Sequence, residues 1–295
     1  MGTSLLSRAF SWPRLDAKRL APILLGAAAF VLLFAKPARL LALDWWNDPE
    51  AGHGLLLAPV AAWLIWRKGL LPERVANPPL GIVMLGAAVL LRLASELAAE
   101  LFTMRGAMIG AAMGLVVFAW GWKQLMAWWL PTLLVILSVP LPELIRSAVA
   151  LPLQFQASEF GAALLELRQV PVRLSGNIIM LPGHQLFVTE ACSGLRSLTA
   201  LLSLSVLMGG LWFKRWPTGV LLIAAAVPIA ILINGVRVFL TGFLVYYVDP
   251  AMGEGFMHLT EGWLLFLVSF ALVGIAAWIL VNLERAVLRW RSARA

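Results

Sequence analysis

The sequence is poor in charged residues and has a single cysteine. Charged residues make up 13% of the 295 residues, whereas apolar residues make up 61% and the mean hydropathy is +0.89. A water-soluble globular surface needs more charge than this, so the composition excludes an ordinary soluble domain and favours a protein embedded in a bilayer. The single cysteine excludes an internal disulfide.

Several familiar motifs are also missing. The chain has no His-Glu-x-x-His motif of zinc proteases and no Gly-x-Ser-x-Gly motif of serine hydrolases. Its three histidines, His53, His184 and His258, have no metal-ligand spacing, so we expect no metal and no cofactor. Because no low-complexity linker or short repeat divides the chain, residues 1–295 are predicted to form one polytopic membrane domain.

Long apolar stretches recur along the chain. A spanning helix needs about 20 largely apolar residues, and eight stretches approach or reach that length: 20–43, 55–66, 80–98, 107–122, 125–141, 195–213, 217–248 and 259–283. The second and the fourth are short for spans. The predicted fold class is an all-α integral membrane protein with about eight transmembrane helices.

Basic residues predict the orientation, because cytoplasmic loops hold an excess of Lys and Arg. With the N-terminus inside, the tails 1–19 and 284–295 are cytoplasmic, and Asp44, Asp48 and Asp249 lie outside. The inner side then holds 14 of the 23 basic residues: Arg8, Arg14, Lys18, Arg19, Arg67, Lys68, Arg74, Lys123, Lys214, Arg215, Arg285, Arg289, Arg291 and Arg294. This orientation accounts for the net charge of +8 without a nucleic-acid partner.

Residues 142–191 form the only sizeable non-spanning region, on the outer side. Its first part, 144–167, mixes apolar and charged residues and predicts an amphipathic helix along the membrane surface. Its second part has β-rich stretches at 170–172, 177–181 and 185–188, separated by turn residues, which predicts a small β-hairpin. Such a hairpin either offers an edge to an extended peptide or simply covers the helices.

The only thiol, Cys192, is placed at the predicted start of the sixth span. A helix N-terminus stabilises negative charge, which favours the nucleophilic thiolate, although an isolated cysteine in an apolar helix is usually inert packing. Glu190, Ser193 and Arg196 make the surroundings polar. The predicted side is also the oxidising one, where an accessible thiol is a liability, so we predict a functional cysteine.

Two further residues of the predicted outer side suit acyl transfer. Arg237 lies far along the seventh span, and His258 lies where the last span begins. Taken alone, each has a simpler explanation, as an ion-paired arginine or as an interfacial histidine. Together with Cys192 they provide a nucleophile, an oxyanion stabiliser and a general acid/base. His184, eight residues before the cysteine, is a rival base.

These blocks resemble the exosortase/archaeosortase family. The resemblance rests on Glu-Ala-Cys-Ser-Gly-Leu-Arg-Ser at 190–197, Asn-Gly-Val-Arg at 234–237, and His258 followed by Gly-Trp at 262–263, with a further block at 52–67. It covers about residues 45–280. One departure is Ala-Gly-His at 51–53, where the family pattern has a Tyr-Ser-His type sequence, which leaves the role of His53 open.

The resemblance implies a protein-sorting cysteine transpeptidase of the Gram-negative inner membrane, with its catalytic helices in 192–283. Its substrates would be secreted proteins whose C-terminal signal has a Pro-Glu-Pro type motif, a transmembrane helix and a basic tail, and the acceptor that resolves the thioester is unknown. The implied catalytic residues are Cys192, Arg237 and His258. Glu190, Arg196 and Asn234 would be supporting residues.

Two other classes compete with this interpretation. A transporter would also have charges within its spans, but these are few, namely Arg92, Glu96 and Arg237, and there is no convincing inverted repeat. A non-enzymatic assembly protein of an exopolysaccharide export system would carry the thiol incidentally. Only an enzyme should lose turnover when Cys192 is replaced.

Overall fold

The protein is a bundle of helices with one small antiparallel sheet. The computed structural model describes residues 17–189, 192–253 and 255–292, with side chains over 25–189, 192–253 and 262–292. The helices are α1 (Ala17–Asn47), α2 (Gly54–Lys68), α3 (Pro78–Leu97), α4 (Leu101–Trp120), α5 (Trp122–Ala127), α6 (Trp129–Leu137), α7 (Glu143–Leu167), α8 (Leu195–Trp212), α9 (Trp216–Tyr247) and α10 (Gly255–Ser292). The strands are β1 (Arg173–Ser175), β2 (Ile178–Leu181) and β3 (His184–Phe187).

The predicted all-α membrane class is confirmed, with six of the described helices long and apolar enough to cross a membrane. These six lie within α1, α3, α4, α8, α9 and α10. The predicted stretch 55–66 forms α2, which has only 15 residues. The stretch 125–141 is divided at Trp128 into α5 and α6. Of these shorter segments, α2 and α6 pack together through an apolar cluster that includes Leu57, Leu64 and Leu134.

Contacts between connecting segments define two ends of the bundle. At one end, which we call the site end, the Trp45 indole donates to the carbonyl oxygen of Ser138 at 2.7 Å and Arg105 pairs with Asp44 at 2.6 Å. At the opposite, basic end, the carboxylate of Glu284 accepts hydrogen bonds from the backbone N–H groups of Lys214 and Arg215. The helix ends and connections at the basic end contain six basic residues, namely Arg67, Lys68, Arg74, Lys123, Lys214 and Arg215.

The predicted helix in 144–167 is present as α7, and it packs closely on α9. A Cβ atom on Gly161 would lie 2.6 Å from Val238 Cγ1, and one on Gly235 would lie 2.2 Å from Phe160 Cδ1. Glycine at both positions is therefore what lets the two helices approach. The buried face of α7 consists largely of small residues, so this face serves helix packing.

The predicted hairpin is confirmed, and a third strand extends it to a meander in the order β1-β2-β3. The first strand begins at Arg173 rather than at 170, because the Gly176-Asn177 turn pairs Ser175 with Ile178. Val170 is apolar because it is buried in the core that joins the sheet to α7 and α9. This core holds the sheet beside the second half of α9.

The length of α9 exceeds the thickness of the hydrocarbon core. Its 32 residues span about 48 Å at 1.5 Å per residue, whereas the hydrocarbon core is about 30 Å thick. A tilt of about 20° shortens the projection only slightly. Counted from the start of α9 at the basic end, Arg237 lies 21 residues along the helix, about 32 Å away.

Candidate active site

Cys192 lies in a tight loop that leads into α8. Its backbone N–H donates to the carbonyl oxygen of Thr189 at 2.9 Å, and its side chain is half-buried against the core of α7, α9 and the sheet. The next residue, Ser193, is buried and accepts a hydrogen bond from the N–H of Leu195 at 3.2 Å. The local turn and the serine together fix the loop at the N-terminus of α8.

Asn234 on α9 holds this loop directly. Its side-chain amide donates to the carbonyl oxygen of Cys192 at 2.9 Å, and the residue is only 6% exposed. Gly194 has φ +80°, and a Cβ atom there would lie 2.6 Å from Asn234 Cγ. Glycine is required at 194 for both reasons, the left-handed backbone and the close approach of the asparagine.

Arg237 lies one turn beyond Asn234 on α9, and it lines the same small pocket as Cys192. This pocket has room for about one water molecule, at about 10 Å³, and its other walls are Leu186, Phe187, Val188, Val238 and Thr241. The guanidinium also packs against α10, where a Cβ atom on Gly262 would lie 3.4 Å from Arg237 Nη2. The sequence motifs at 192, 237 and 262 therefore meet in one place.

The other two predicted residues of this region are described in part or not at all. His258 belongs to the first turn of α10, four residues before Gly262, and its side chain lies outside the described residues. Glu190 also lies outside them. The structure thus brings Cys192, Asn234 and Arg237 together through described contacts and leaves Glu190 and His258 as predictions.

Arg196 faces a second, larger cavity. This cavity measures about 290 Å³ and lies between the start of α2, the end of α6 and the first turns of α8. Its walls are mostly apolar, and its polar side chains include Glu50, His53, Arg146 and Arg196. Arg196 is exposed and does not line the Cys192 pocket, so its predicted supporting role has no described contact with Cys192.

The two other histidines lie away from the thiol. Both ring nitrogens of His53 are 3.1 Å from carbonyl oxygens, one of Glu50 and one of Leu137, so this side chain joins the start of α2 to the end of α6. His184 is exposed at the turn end of β3. Of the side chains that the structure describes, neither histidine lines the Cys192 pocket.

Sequence reasoning missed Thr241 as a member of this pocket. It is buried, and its hydroxyl donates to the carbonyl oxygen of Arg237 at 3.0 Å. The available signal was its spacing, because residues four apart on a helix share a face. Phe187 and Leu186 were missed as well, since only the chain's tertiary folding brings β3 to the start of α8.

This arrangement suits covalent chemistry at a thiol. The loop places the Cys192 sulfur at the N-terminus of α8, and Arg237 lines the same pocket, where its guanidinium can stabilise a developing oxyanion. Within the described ranges, no group of three or more His, Cys, Asp or Glu side chains is placed to hold a metal ion.

Comparison with known proteins identifies the family. The sequence pattern of the transmembrane exosortases (Exosortase_EpsH) matches residues 45–275, which is more than three quarters of the chain and includes Cys192, Asn234, Arg237 and His258. Searches among curated proteins and among solved structures find no match. The chain therefore belongs to the transmembrane exosortase family, a family of multi-pass membrane proteins with a transpeptidase and protein-sorting role.

Proposed function

We propose that this protein is a cysteine transpeptidase that cleaves C-terminal sorting signals of secreted proteins through a thioester on Cys192. The signal would consist of a Pro-Glu-Pro type motif, a transmembrane helix and a basic tail. The observation that carries the proposal is the shared pocket of Cys192 and Arg237 at the N-terminus of α8. Family membership supports the sorting role.

In the proposed reaction the Cys192 thiolate attacks the carbonyl carbon of the scissile peptide bond. The S–C bond forms, the carbonyl oxygen becomes an oxyanion, and Arg237 stabilises that charge. The C–N bond then breaks as His258 gives a proton to the leaving amine. Water or an amine attacks the thioester, returns a proton to His258 and releases the thiolate, which gives hydrolysis or transpeptidation.

The backbone of α10 supports the role of His258. Residues four apart lie on one face of a helix, and Gly262, four residues after His258, packs against the Arg237 guanidinium. The first turn of α10 is thereby directed to the side of the bundle that holds the pocket. Histidine exchanges protons near neutral pH, which suits a group that first donates and then accepts.

Three residues would support the catalytic set in different ways. Asn234 acts as a positioning residue, because it holds the backbone of Cys192. Arg196 would contact the substrate from the second cavity, whose wall it forms. Glu190, two residues before the thiol along the chain, would be the third supporting residue.

We further propose the bacterial inner membrane as the location, with the site end on the periplasmic side. The basic end would then be cytoplasmic, together with the tails 1–19 and 284–295, which agrees with the preference of cytoplasmic loops for Lys and Arg. The loop 142–191 would be periplasmic. The length of α9 is consistent with this placement, since it lifts Arg237 to the outer boundary of the hydrocarbon core.

Co-expression with a defined reporter tests the proposal. The reporter is a secreted protein with a Pro-Glu-Pro type tripartite tail, and its size is measured by gel and mass spectrometry beside wild-type enzyme, Cys192→Ala and the control Ser205→Ala. Ser205 is buried in α8 away from the pocket. We expect loss of the tail with wild type and Ser205→Ala but not with Cys192→Ala. Equal processing by Cys192→Ala would refute the thiol mechanism, and intact reporter with several natural tails would favour a transporter or an assembly protein.

A further inference from the structure

The sheet has a free edge beside the Cys192 pocket. Among the described residues the third strand of the order β1-β2-β3 pairs on one side only, and Leu186, Phe187 and Val188 line the pocket with Cys192 and Arg237. Gln185 and Phe187 are exposed, the latter by 55%. Any extended chain that reached the thiol along this wall would therefore pass the free edge of β3.

The pairing of β3 with β2 determines which backbone groups point to that edge. The N–H of Val188 donates to the carbonyl oxygen of Asn177 at 2.9 Å, and the pairs Leu186↔Ile179 and Leu181↔His184 follow at intervals of two residues. Because bonded pairs alternate in antiparallel sheets, residues 184, 186 and 188 bond towards β2. The N–H and C=O groups of Gln185 and Phe187 point the other way, and among the described residues no backbone group outside the sheet bonds to them.

We propose that the substrate segment next to the scissile bond adds to β3 as a fourth strand, through the backbone of Phe187 and Gln185. This inference rests on the proposed function and specifies how its substrate is bound. Strand addition supplies backbone hydrogen bonds from any sequence, which suits an enzyme that acts on many proteins with a short shared motif. It also fixes the scissile carbonyl in an extended conformation beside the thiol.

The Pro-x-Pro spacing of the proposed motif fits this edge in one register. Proline lacks an N–H group, so in a sheet it is confined to edge strands with its nitrogen facing away from the neighbour. Residues i and i+2 of a strand present their backbone groups to the same side. When both prolines face away, the central residue presents its N–H and C=O to β3. In an antiparallel pairing it lies opposite Phe187 and bonds to that residue, and in a parallel pairing it lies opposite Leu186 and bonds to Gln185 and Phe187.

Site-specific photo-cross-linking tests the placement. p-Benzoylphenylalanine replaces Phe187, a conservative change between aromatic residues, in the Cys192→Ala enzyme co-expressed with the reporter. The matched control places the same probe at Arg173, which is exposed on β1, at the opposite edge of the sheet. We expect cross-links from position 187 to the Pro-Glu-Pro segment, mapped by mass spectrometry, and at least tenfold fewer from position 173.

A matched pair of reporters tests the backbone hydrogen bonds themselves. Pro-Ala-Pro and Pro-Pro-Pro both lack the glutamate side chain, but only Pro-Ala-Pro keeps the central N–H. Loss of one hydrogen bond corresponds to about a fivefold change in binding, so we expect about fivefold more cross-linking with Pro-Ala-Pro at the same reporter level. Equal yields from the two reporters would overturn the proposed pairing.

Wild-type processing, measured in parallel, separates the two proposals. Cys192-dependent cleavage together with cross-links that map equally to 173 and 187, or only to the reporter's transmembrane helix, would overturn strand addition and leave the sorting function intact. Absence of Cys192-dependent cleavage would overturn both. Cross-links confined to position 187 and the motif would support strand addition.

Discussion

At the scale of single residues, Asn234 ties α9 to the loop that presents the thiol. Its amide donates to the carbonyl oxygen of Cys192, and an enzyme that needs a near-attack geometry is sensitive to displacements of about 1 Å. Asn234→Asp keeps the shape but loses the donor and adds a carboxylate next to the backbone of Cys192. We expect reporter cleavage to fall at least tenfold.

The alkylation rate of Cys192 shows whether this loss acts through the thiol. Cys192 is the only cysteine, so a maleimide reports on it alone. A neighbouring carboxylate disfavours thiolate, so Asn234→Asp should react more slowly than Asn234→Ala, whereas general damage to the fold would expose the thiol and speed the reaction. If Asn234→Asp cleaved the reporter and reacted with maleimide at the wild-type rates, the positioning role of Asn234 would be excluded.

A second residue-scale prediction compares two glycines with almost the same backbone angle. Gly194 has φ +80° and is pressed against Asn234, while Gly183 has φ +79° and would have nothing within 4 Å of an added Cβ atom. Both alanine variants incur backbone strain of about 1 kcal/mol, but only Gly194→Ala displaces Asn234. We expect Gly194→Ala to lose at least tenfold in reporter cleavage and Gly183→Ala to stay within about twofold. Equal losses would mean that φ alone explains the glycine at 194.

At the scale of elements, α7 packs against Val238, an α9 residue that lines the Cys192 pocket. Gly161→Ala would place a methyl group 2.6 Å from Val238 Cγ1, whereas Gly274→Ala on α10 meets nothing within 4 Å. Overpacking costs about 1–3 kcal/mol, and alanine in a helix gains about 1 kcal/mol over glycine. We therefore expect a lower thermal midpoint in detergent for Gly161→Ala and an unchanged or higher one for Gly274→Ala. A rise in both would show that α7 is not closely packed on α9.

The cap of α4 gives a pH-dependent prediction. Burial raises the pKa of Glu100, but hydrogen bonds from the Thr103 side chain and from the N–H groups of Thr103 and Phe102 outweigh it, so the pKa is lowered overall. Because its pKa is lowered in the folded state, the ionised Glu100 carboxylate stabilises the fold at pH values above the ordinary carboxyl range. This stabilisation is lost as the pH falls through the folded-state pKa of Glu100. Glu100→Gln should therefore destabilise the protein by about 1 kcal/mol at pH 7.

This destabilisation should shrink as the pH falls into the acid range, where Glu100 itself becomes protonated in the folded protein. Thermal midpoints of wild type and Glu100→Gln, measured at several pH values, provide the check. Glu73→Gln is the control, since Glu73 is exposed in the connection between α2 and α3. A difference between wild type and Glu100→Gln that did not depend on pH would contradict the carboxylate cap.

Local chemistry made some elements predictable and tertiary contacts decided the others. The Gly176-Asn177 and Pro182-Gly183 turns were readable because glycine permits positive φ, and they fixed the hairpin. The start of β1 was misplaced because Val170 and Val172 are apolar for core packing. The division of 125–141 at Trp128 could not be read, since that indole donates to the carbonyl oxygen of Gly69, 59 residues away.

The candidate site was likewise predictable only in part. The spacing of the cysteine, arginine and histidine blocks on three consecutive predicted spans indicated that they meet at one end, and Cys192 and Arg237 do share a pocket. The sequence did not show which of Arg196 and Asn234 contacts Cys192, because each lies close to a predicted catalytic residue along the chain. Only the packing of α8 on α9 turns Asn234 towards Cys192, while Arg196 faces the second cavity.

At the scale of the whole molecule, the separation of the two ends predicts the topology. In the Cys192→Ala background, single cysteines replace Arg74 at the basic end and Asp249 at the end of α9, both of which are exposed. With the outer membrane permeabilised, an impermeant maleimide should label Asp249→Cys at once and Arg74→Cys only after the inner membrane is disrupted. The reverse pattern would invert the proposed orientation and place the site in the cytoplasm.

The central claim is that Cys192 forms a covalent thioester with the sorted protein, and trapping this adduct tests it most directly. Membranes that contain the enzyme and the reporter are quenched in acid and separated without reductant, and the reporter–enzyme adduct is analysed by mass spectrometry with and without hydroxylamine, which cleaves thioesters. We predict a hydroxylamine-sensitive adduct on the peptide that contains Cys192, absent in Cys192→Ala. Processing of the reporter by Cys192→Ala, or a wild-type adduct that maps to another residue, would contradict the account.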